Sequence, residues 1–224
     1  MIELQANLPP APSLLGRAGE GVLCITYHLT TTYGCYKYMV NAKRNSAVLD
    51  LGCGQKKLPG AIGIDCNQRS TADVIHDLNT FPYPFEDNRF DDVNCDSILE
   101  HLDDFFRVME ELHRITTPNG RIWVKVPYYT SFDAFTDPTH QHFFTSRSFD
   151  YFREDYAYSY YTNARFAIIN IRVIFLRLKQ LKGLSPHKLL GIEWFANRWL
   201  KIYEAFFAYI FPAHILTCEL QVIK

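Results

Sequence analysis

The densest group of potentially reactive side chains lies in the stretch SFDAFTDPTHQHFF, residues 131–144. Asp137, His140 and His142 fall within six consecutive positions there, among aromatic neighbours. A histidine can act as a general base near neutral pH when a neighbouring group fixes its orientation. We therefore predict that His140 is a catalytic base oriented by Asp133 or Asp137, or that the group binds a substrate.

Two further interpretations of this group stay open. The side chains could lock the loop in one conformation, since Asp137 precedes a proline and so begins a turn. The same three side chains could also ligate a metal ion together with Glu100 and His101, because carboxylates and imidazoles are common zinc ligands. Of these readings, the sequence favours acid–base or substrate-binding chemistry without a metal.

The second chemically suggestive stretch is VLDLGCGQKKLPGAIGID, residues 48–65. A strand that ends in glycines brings bare backbone N–H groups close to a ligand, and an acid that closes the next strand can accept from ribose hydroxyls. Asp65 holds that second position. The dinucleotide fingerprint G-x-G-x-x-G fails, because its third position is Lys57. Asp50 precedes the first glycine, where a carboxylate repels a pyrophosphate and attracts an ammonium group. The stretch therefore favours an adenosine that carries an amino-acid tail.

Short apolar segments that alternate with helical patterns must position these residues. Predicted strands cover 47–51, 61–65, 72–78, the start of 90–102, 121–129, 166–178 and 214–224. Apolar residues at helical spacing predict a helix over 103–116, and Ser148 is the expected N-cap of another in 148–155. PNG, residues 118–120, is expected to stop the helix and form a turn. This alternation predicts a mainly parallel α/β sheet covered on both faces.

Composition argues against several classes of protein. The net charge of −1 argues against binding nucleic acid through broad neutralisation of phosphates. The six cysteines form no C-x-x-C pair, so we expect reduced thiols rather than a zinc site or a disulfide framework. The N-terminus lacks the basic and apolar regions of a signal peptide. The apolar stretch 202–217 is too short, and too interrupted by Glu204 and Pro212, to span a bilayer.

The expected organisation is an N-terminal extension or cover, residues 1–45, followed by one domain over 46–224. Residues 179–213 are predicted to form a helical, aromatic insertion before the last strand. Eight Lys or Arg residues and a single acid lie between 156 and 203, among aromatic side chains. This segment is either a solvated helical face or a contact for anionic lipid headgroups. We expect a cytoplasmic protein, either free of membranes or in peripheral contact with one.

Four motifs together resemble those of the class I S-adenosylmethionine-dependent methyltransferases. They are GCGxxKxPGAIGID at 52–65, ADVxHDLN at 72–79, LEHL at 99–102 and DPTHxxFF at 137–144. The resemblance covers residues 46–155 closely and 165–224 more loosely. It implies a Rossmann-like fold of seven strands in the order 3-2-1-4-5-7-6, mostly parallel, with an antiparallel last strand. It also implies that S-adenosylmethionine is the cofactor.

The resemblance assigns roles to residues at the ends of the strands. Asp65 would hold the ribose, and Asp77 with the backbone of Leu78 would hold the adenine. His101 would face the pocket. The methionine part of the cofactor would lie beside the remaining members of the set, which are Asp50, Gly52, Gly54 and Ser97.

The cofactor turn departs from the family pattern in two ways. Lys56 stands where the third glycine of GxGxG is usual, and only ten residues separate Gly54 from Asp65. A full helix and a strand do not fit in that length, so QKKLPG, residues 55–60, is predicted to form a short loop or a single turn. A loop N–H, Lys56 or Lys57 would then anchor the methionine carboxylate, unless the two lysines are solvated surface charges.

The end of the fourth strand usually shows which class of acceptor such an enzyme methylates. It lacks the [DN]PP[YF] motif of exocyclic amino-group methylases and the Pro-Cys pair of cytosine C5 enzymes. We therefore predict O-methylation of a small molecule, a glycan or a lipid-linked intermediate, with His140, His101 and Asp137 as catalytic residues. One alternative is a non-catalytic S-adenosylmethionine-binding or scaffold domain, and a less favoured one is a nicotinamide-dependent oxidoreductase. Glu100 and His101 also have a structural interpretation. Glu100 would be an acid in the first turn of a helix, stabilised by the helix dipole, and His101 would be a capping or packing residue.

Overall fold

The computed structural model describes residues 46–176 and 186–224. The predicted extension, 1–45, and the start of the predicted insertion lie outside the described residues. The strands are β1 Val48–Leu51, β2 Ile62–Asp65, β3 Val74–Ile75, β4 Phe90–Asp96, β5 Thr116–Pro127, β6 Arg165–Ile174 and β7 Ile215–Ile223.

These strands form one seven-stranded sheet in the order β3-β2-β1-β4-β5-β7-β6. Strands β1 to β5 run parallel, and β7 is antiparallel to both of its neighbours. The predicted Rossmann-like class I methyltransferase architecture is therefore confirmed. Because the carboxyl ends of parallel strands meet at one edge of a sheet, the turns after β1 to β5 share that edge.

The helices are short apart from the first of them. Their bounds are α1 Phe105–Ile115, α2 Asp133–Thr136, α3 Pro186–Leu189, α4 Ile192–Arg198 and α5 Leu200–Ile202, with a π-helical turn over Tyr203–Phe207 and 3-10 turns at Leu99–His101, Asp150–Phe152 and Ser159–Tyr161. None of the helices in the two described ranges is long and apolar enough to cross a membrane.

Helix α1 matches the helix predicted over 103–116. Asp104 caps it, since its carboxylate accepts from the backbone N–H of Arg107 at 3.1 Å. One face of the helix is fully buried against the sheet and carries Val108, Met109, Leu112 and Ile115. The apolar spacing in the sequence therefore marks the core-facing side of α1.

Two predicted elements differ in the structure: the turn at 118–120 and the helix at 148–155. PNG does not form a separate turn but lies within β5, where the register moves from Phe90–Thr116 to Asp92–Arg121. The extra residues form a bulge, in which Asn119 adopts a φ of 63°. The predicted helix at 148–155 is instead a single 3-10 turn, because the Ser148 hydroxyl accepts from the N–H of Thr145 and closes a turn in front of it.

The described part of the predicted insertion, 186–213, is held to the sheet by side chains. Asn197 accepts from the N–H of Val173 and donates to its carbonyl, each at 2.9 Å, and so pairs with the β6 backbone. Glu204 accepts from the N–H and the hydroxyl of Ser146 at 2.7 Å, and from the Tyr128 hydroxyl at 3.0 Å. Both contacts direct polar groups of the insertion toward the body of the domain.

The cysteines are partly as expected. Cys53, Cys95 and Cys218 are free and buried, and burial raises the pKa of the Cys53 thiol to about 11. Cys66, in contrast, is disulfide-bonded, which corrects the expectation of six reduced thiols.

Two glycines with positive φ allow a direct test of how tightly the turn after β1 packs against its neighbours. A Cβ at Gly52 (φ +64°) would lie 2.5 Å from side-chain carbons of Ile98, whereas a Cβ at Gly60 (φ +80°) would meet nothing within 4 Å. Both alanine variants should lose about 1–2 kcal/mol of unfolding free energy to the left-handed backbone. Gly52→Ala should lose about 1–3 kcal/mol more through overpacking.

Urea unfolding of Gly52→Ala, Gly60→Ala and the unaltered protein measures this difference. Equal losses in the two variants would show that Ile98 moves aside without cost and that the turn is not tightly packed.

Candidate cofactor and acceptor site

The turn after β1 is fastened to the end of β2 by a buried carboxylate. Asp65 is 1% exposed, and its Oδ2 accepts from the N–H of Gly54 at 2.8 Å. Its Oδ1 accepts from the N–H of Asn67, also at 2.8 Å. A carboxylate oxygen has two lone pairs, so each retains capacity to accept from a ribose hydroxyl. Asp65 thus closes β2 and holds the turn after β1, while its contact with a ribose stays a prediction.

Asp50 supports the loop between β1 and β2. Its Oδ2 accepts from the N–H of Leu58 at 2.7 Å and its Oδ1 accepts from the Asn94 amide at 2.7 Å. The side chain is only 4% exposed. These bonds tie the loop to β4 and give Asp50 a positioning role, while its contact with an amino group of the cofactor stays a prediction.

The loop QKKLPG contains no helix, as the short spacing predicts. The Lys57 ammonium lies 2.7 Å from both carboxylate oxygens of Asp73, and this hydrogen-bonded lysine lowers the pKa of Asp73. Asp73 also accepts from the N–H of Gly63 at 2.7 Å. Lys57 therefore joins the loop to the approach to β3, whereas Lys56 is exposed.

The predicted adenine residues lie in the turn after β3, which is only two residues long. Asp77 Oδ1 accepts from the N–H of Asn79 at 3.0 Å, which forms an Asx turn. The carbonyl of Leu78 accepts from the buried Tyr83 hydroxyl at 2.9 Å. These bonds fix the turn at the same sheet edge as Asp65.

Ser97 directly follows β4 and adopts a φ of +56°. Its N–H donates to the Lys125 carbonyl at 2.8 Å, and its hydroxyl donates to Asp96 at 3.0 Å. The Lys125 ammonium pairs with Asp96 at 2.8 Å. This ion pair could not be predicted from the sequence, because only the register of β4 against β5 places the two residues side by side.

Glu100 lies in the 3-10 turn after β4 rather than in a helix, so the predicted stabilisation by a helix dipole does not apply. It is 1% exposed, and neither carboxylate oxygen has a hydrogen-bond partner among the described residues. Burial raises the pKa of this carboxyl to about 8. A buried carboxyl with a raised pKa at the carboxyl ends of parallel strands is typical of functional sites.

Two backbone bonds bring the histidine-rich loop onto this turn. The Glu100 carbonyl accepts from the N–H groups of Gln141 at 2.7 Å and His142 at 3.2 Å. As a result the rings of His101 and His140 stand edge to face, with centroids 4.6 Å apart. One donor atom each from Glu100, His101 and His140 falls within 4.8 Å of the others.

Hydrogen bonds determine the tautomer of His101. The Thr139 hydroxyl donates to Asp137 at 2.7 Å, so the same oxygen must accept the Nδ1–H of His101 at 2.8 Å. The lone pair of His101 is then on Nε2. Asp137 therefore acts on His101 through Thr139.

His140 is oriented by a carbonyl. Its Nδ1 lies 3.0 Å from the Ala134 carbonyl, which can only accept, so His140 likewise carries its lone pair on Nε2. This differs from the prediction that Asp133 or Asp137 orients His140. Asp133 instead lies 3.1 Å from Nε2 of His214, a buried residue that the sequence analysis did not select.

His142 is separated from the other two histidines. Its Nε2 is buried without a hydrogen-bond partner among the described residues, and its ring packs beside Phe105 and Phe144. The predicted cluster thus divides: His140 joins His101 and Glu100, and His142 faces aromatic side chains.

The cofactor half of the site fits an adenosine better than a pyrophosphate. Carboxylates close β2 and follow β3, where they can accept from ribose hydroxyls and from an amino group. In the described chain no helix begins between β1 and β2, so that turn offers no helix N-terminus to a phosphate.

Comparison with known proteins agrees with this assignment. The family described as "Methyltransferase domain" matches residues 49–124. An uncharacterized methyltransferase of Schizosaccharomyces pombe is 28% identical in an alignment 136 positions long, which covers 47% of this chain and 49% of that protein. The match spans about half the length of that curated relative.

Solved structures show the same fold. A SAM-dependent methyltransferase from Archaeoglobus fulgidus has a TM-score of 0.54 at 18% identity, over 83% of this chain and 90% of the other. An S-adenosylmethionine-dependent methyltransferase from Mesorhizobium loti has a TM-score of 0.53 at 12% identity, over 83% and 94%. With the motifs, these matches show that the chain carries a methyltransferase domain over residues 49–124 and has the class I methyltransferase fold, for which S-adenosylmethionine is the cofactor.

Proposed function

We propose that the protein transfers a methyl group from S-adenosylmethionine to an acceptor hydroxyl. The observation that carries this proposal is the cluster of Glu100, His101 and His140 at the sheet edge that also holds the cofactor turn. A hydroxyl becomes a better nucleophile when a base removes its proton, whereas an amine is nucleophilic without one. Two imidazoles at this position therefore favour O-methylation.

The chain's own residues would hold the cofactor in three places. Asp65 would accept from the ribose hydroxyls, and Asp77 with the Leu78 backbone would contact the adenine. Gly52, Gly54 and Ser97 would border the methionine part, with the loop kept in place by Asp50. When bound, S-adenosylmethionine supplies a methyl group on a sulfonium, which is open to in-line attack.

The histidine cluster would act on the acceptor. Both imidazoles carry their lone pair on Nε2, so either Nε2 can accept the proton of a hydroxyl placed between them. Asp137 contributes through Thr139 by stabilising the orientation of His101. Fixed geometry of this kind supplies much of the rate in a displacement reaction, because the reactants are already aligned.

We further propose a lipid-linked acceptor, on the basis of residues 186–211, here called the insertion face. Its exposed apolar side chains are Leu189, Leu190, Trp194, Phe206, Tyr209 and Ile210. Lys188, Arg198 and Lys201 are also exposed in this segment. The two acids of the segment are turned away from solvent: Glu204 bonds to Ser146, and Oε2 of Glu193 is buried. An exposed face that is apolar and basic fits an anionic membrane surface.

The cofactor assignment is tested by Asp65→Ala. We expect isothermal titration to detect S-adenosylhomocysteine binding to the unaltered protein, and the variant to bind at least tenfold more weakly, or about 1.4 kcal/mol per factor of ten. Asp91→Ala is the matched control, because Asp91 accepts from the N–H of Ala47 at the opposite edge of the sheet. Binding of NAD in place of S-adenosylhomocysteine would instead indicate an oxidoreductase.

The acceptor chemistry is tested by His140→Ala, assayed with radiolabelled S-adenosylmethionine and fractionated acceptor extracts. Turnover should fall by about a hundredfold or more, as for loss of a general base, while S-adenosylhomocysteine affinity is unchanged. His113→Ala serves as control, since His113 bonds to the Ile223 carbonyl away from the cluster. A protein that binds the cofactor tightly but methylates nothing would support the scaffold alternative.

The insertion face is tested by co-sedimentation with vesicles. The protein should bind vesicles rich in anionic phospholipid more tightly than neutral ones. Replacing Lys188, Arg198 and Lys201 with Gln should weaken binding by up to about a hundredfold, at about 1 kcal/mol per cation. Replacing Arg147 and Arg153, which lie outside the face, should have little effect. Equal binding by both sets of variants would contradict the assignment.

A further inference from the structure

We propose that Glu100, His101 and His140 bind a divalent transition-metal ion, with Zn²⁺ the best match to their chemistry. One donor atom from each residue lies within 4.8 Å of the others. Ligands of a tetrahedral zinc ion with bonds of about 2.0–2.2 Å lie roughly 3.3–3.6 Å apart, so the donor atoms would close in by up to about 1.5 Å on binding the ion. The inference rests on the proposed function only for what the ion does, since binding itself is independent of methyl transfer.

The buried carboxylate is the first reason. Glu100 is 1% exposed and neither oxygen has a hydrogen-bond partner among the described residues. A buried polar group without a partner is costly, and folds normally provide one. A metal cation would provide the oxygens of Glu100 with the partner that the described residues do not.

The second reason is the orientation of the two imidazoles. A ligating histidine generally donates its other ring N–H to a carbonyl, a carboxylate or a hydroxyl, which fixes the ring. His140 donates Nδ1–H to the Ala134 carbonyl, and His101 donates Nδ1–H to Thr139, which donates onward to Asp137. The Glu100, His101 and His140 set therefore has the outer hydrogen bonds typical of metal ligands.

The third reason is the ligand set itself. Two imidazoles and a carboxylate suit zinc and related ions, and three protein ligands leave a coordination position open. An acceptor hydroxyl at that position would have its pKa lowered by the ion. Its proton would pass to water, its oxygen would form the new bond to carbon, and the electron pair of the broken carbon–sulfur bond would stay on sulfur. In the loaded protein the ion thus takes the place of an imidazole as the group that activates the hydroxyl.

The test is Zn²⁺ binding by the full chain after dialysis against a chelator, measured by titration calorimetry and by the shift in melting temperature. The unaltered protein should bind one ion at this site and melt at a higher temperature with it. Glu100→Gln and His140→Gln should each weaken binding at least a hundredfold. Thr139→Val, which removes the outer hydrogen bond of His101, should weaken it by about tenfold or more.

His142→Gln is the matched control, because His142 is two positions from His140 but lies outside the cluster. Its Zn²⁺ affinity should equal that of the unaltered protein. A Zn²⁺ affinity that is unchanged in Glu100→Gln and His140→Gln, or no binding by the unaltered protein, overturns the metal site. Methyl transfer that persists in chelator and is lost in His140→Ala would overturn the role of the ion in activating the hydroxyl, while leaving the proposed function intact.

Discussion

The part of the candidate site that holds His101 and His140 depends on one carbonyl oxygen. The Glu100 C=O accepts from the N–H groups of Gln141 and His142, which fastens the loop after β5 to the turn after β4. The turn is itself anchored, since its neighbour Leu99 is fully buried in the core. His101 and His140 meet because two backbone segments are joined, and their side chains need no direct bond to each other. Backbone bonds of this kind survive side-chain substitution, so the loop can keep its place while the acceptor chemistry varies.

The predicted cofactor turn has a loop at residues 55–60 in place of a helix. A helix would form its own backbone hydrogen bonds, so the loop needs hydrogen-bond partners from elsewhere in the chain. Three bonds from outside replace the missing helical ones. Asp50 accepts from the N–H of Leu58, Lys57 pairs with Asp73, and the N–H of Thr71 donates to the Gly54 carbonyl at 2.8 Å. The first of these is partly buried and the Lys57–Asp73 pair is exposed, so Asp50 contributes more to the stability of the loop. An acid at this position is therefore required by the short loop even before a ligand is considered.

The sequence was sufficient where structure is decided locally. Apolar spacing located α1 and most of the strands, and the ten-residue interval after Gly54 correctly predicted a loop. The predictions failed where a distant partner decides. PNG joins β5 because β4 lies beside it, and Ser148 bonds to Thr145 instead of capping a helix. The sequence also did not show which group orients each histidine. Asp137 is close to His140 in the sequence, but through Thr139 it orients His101 instead.

Two buried acids show how the structure separates support from function. Asp50 is 4% exposed and Glu100 is 1% exposed, so burial alone does not distinguish them. Asp50 accepts bonds from Leu58 and Asn94, which is what a buried carboxylate requires to be a stable part of a fold. Glu100 receives no hydrogen bond from the described residues, although the histidines beside it are held by Thr139 and Ala134. A neighbourhood that orients its imidazoles and leaves its carboxylate without a donor fits a partner that none of the described residues supplies.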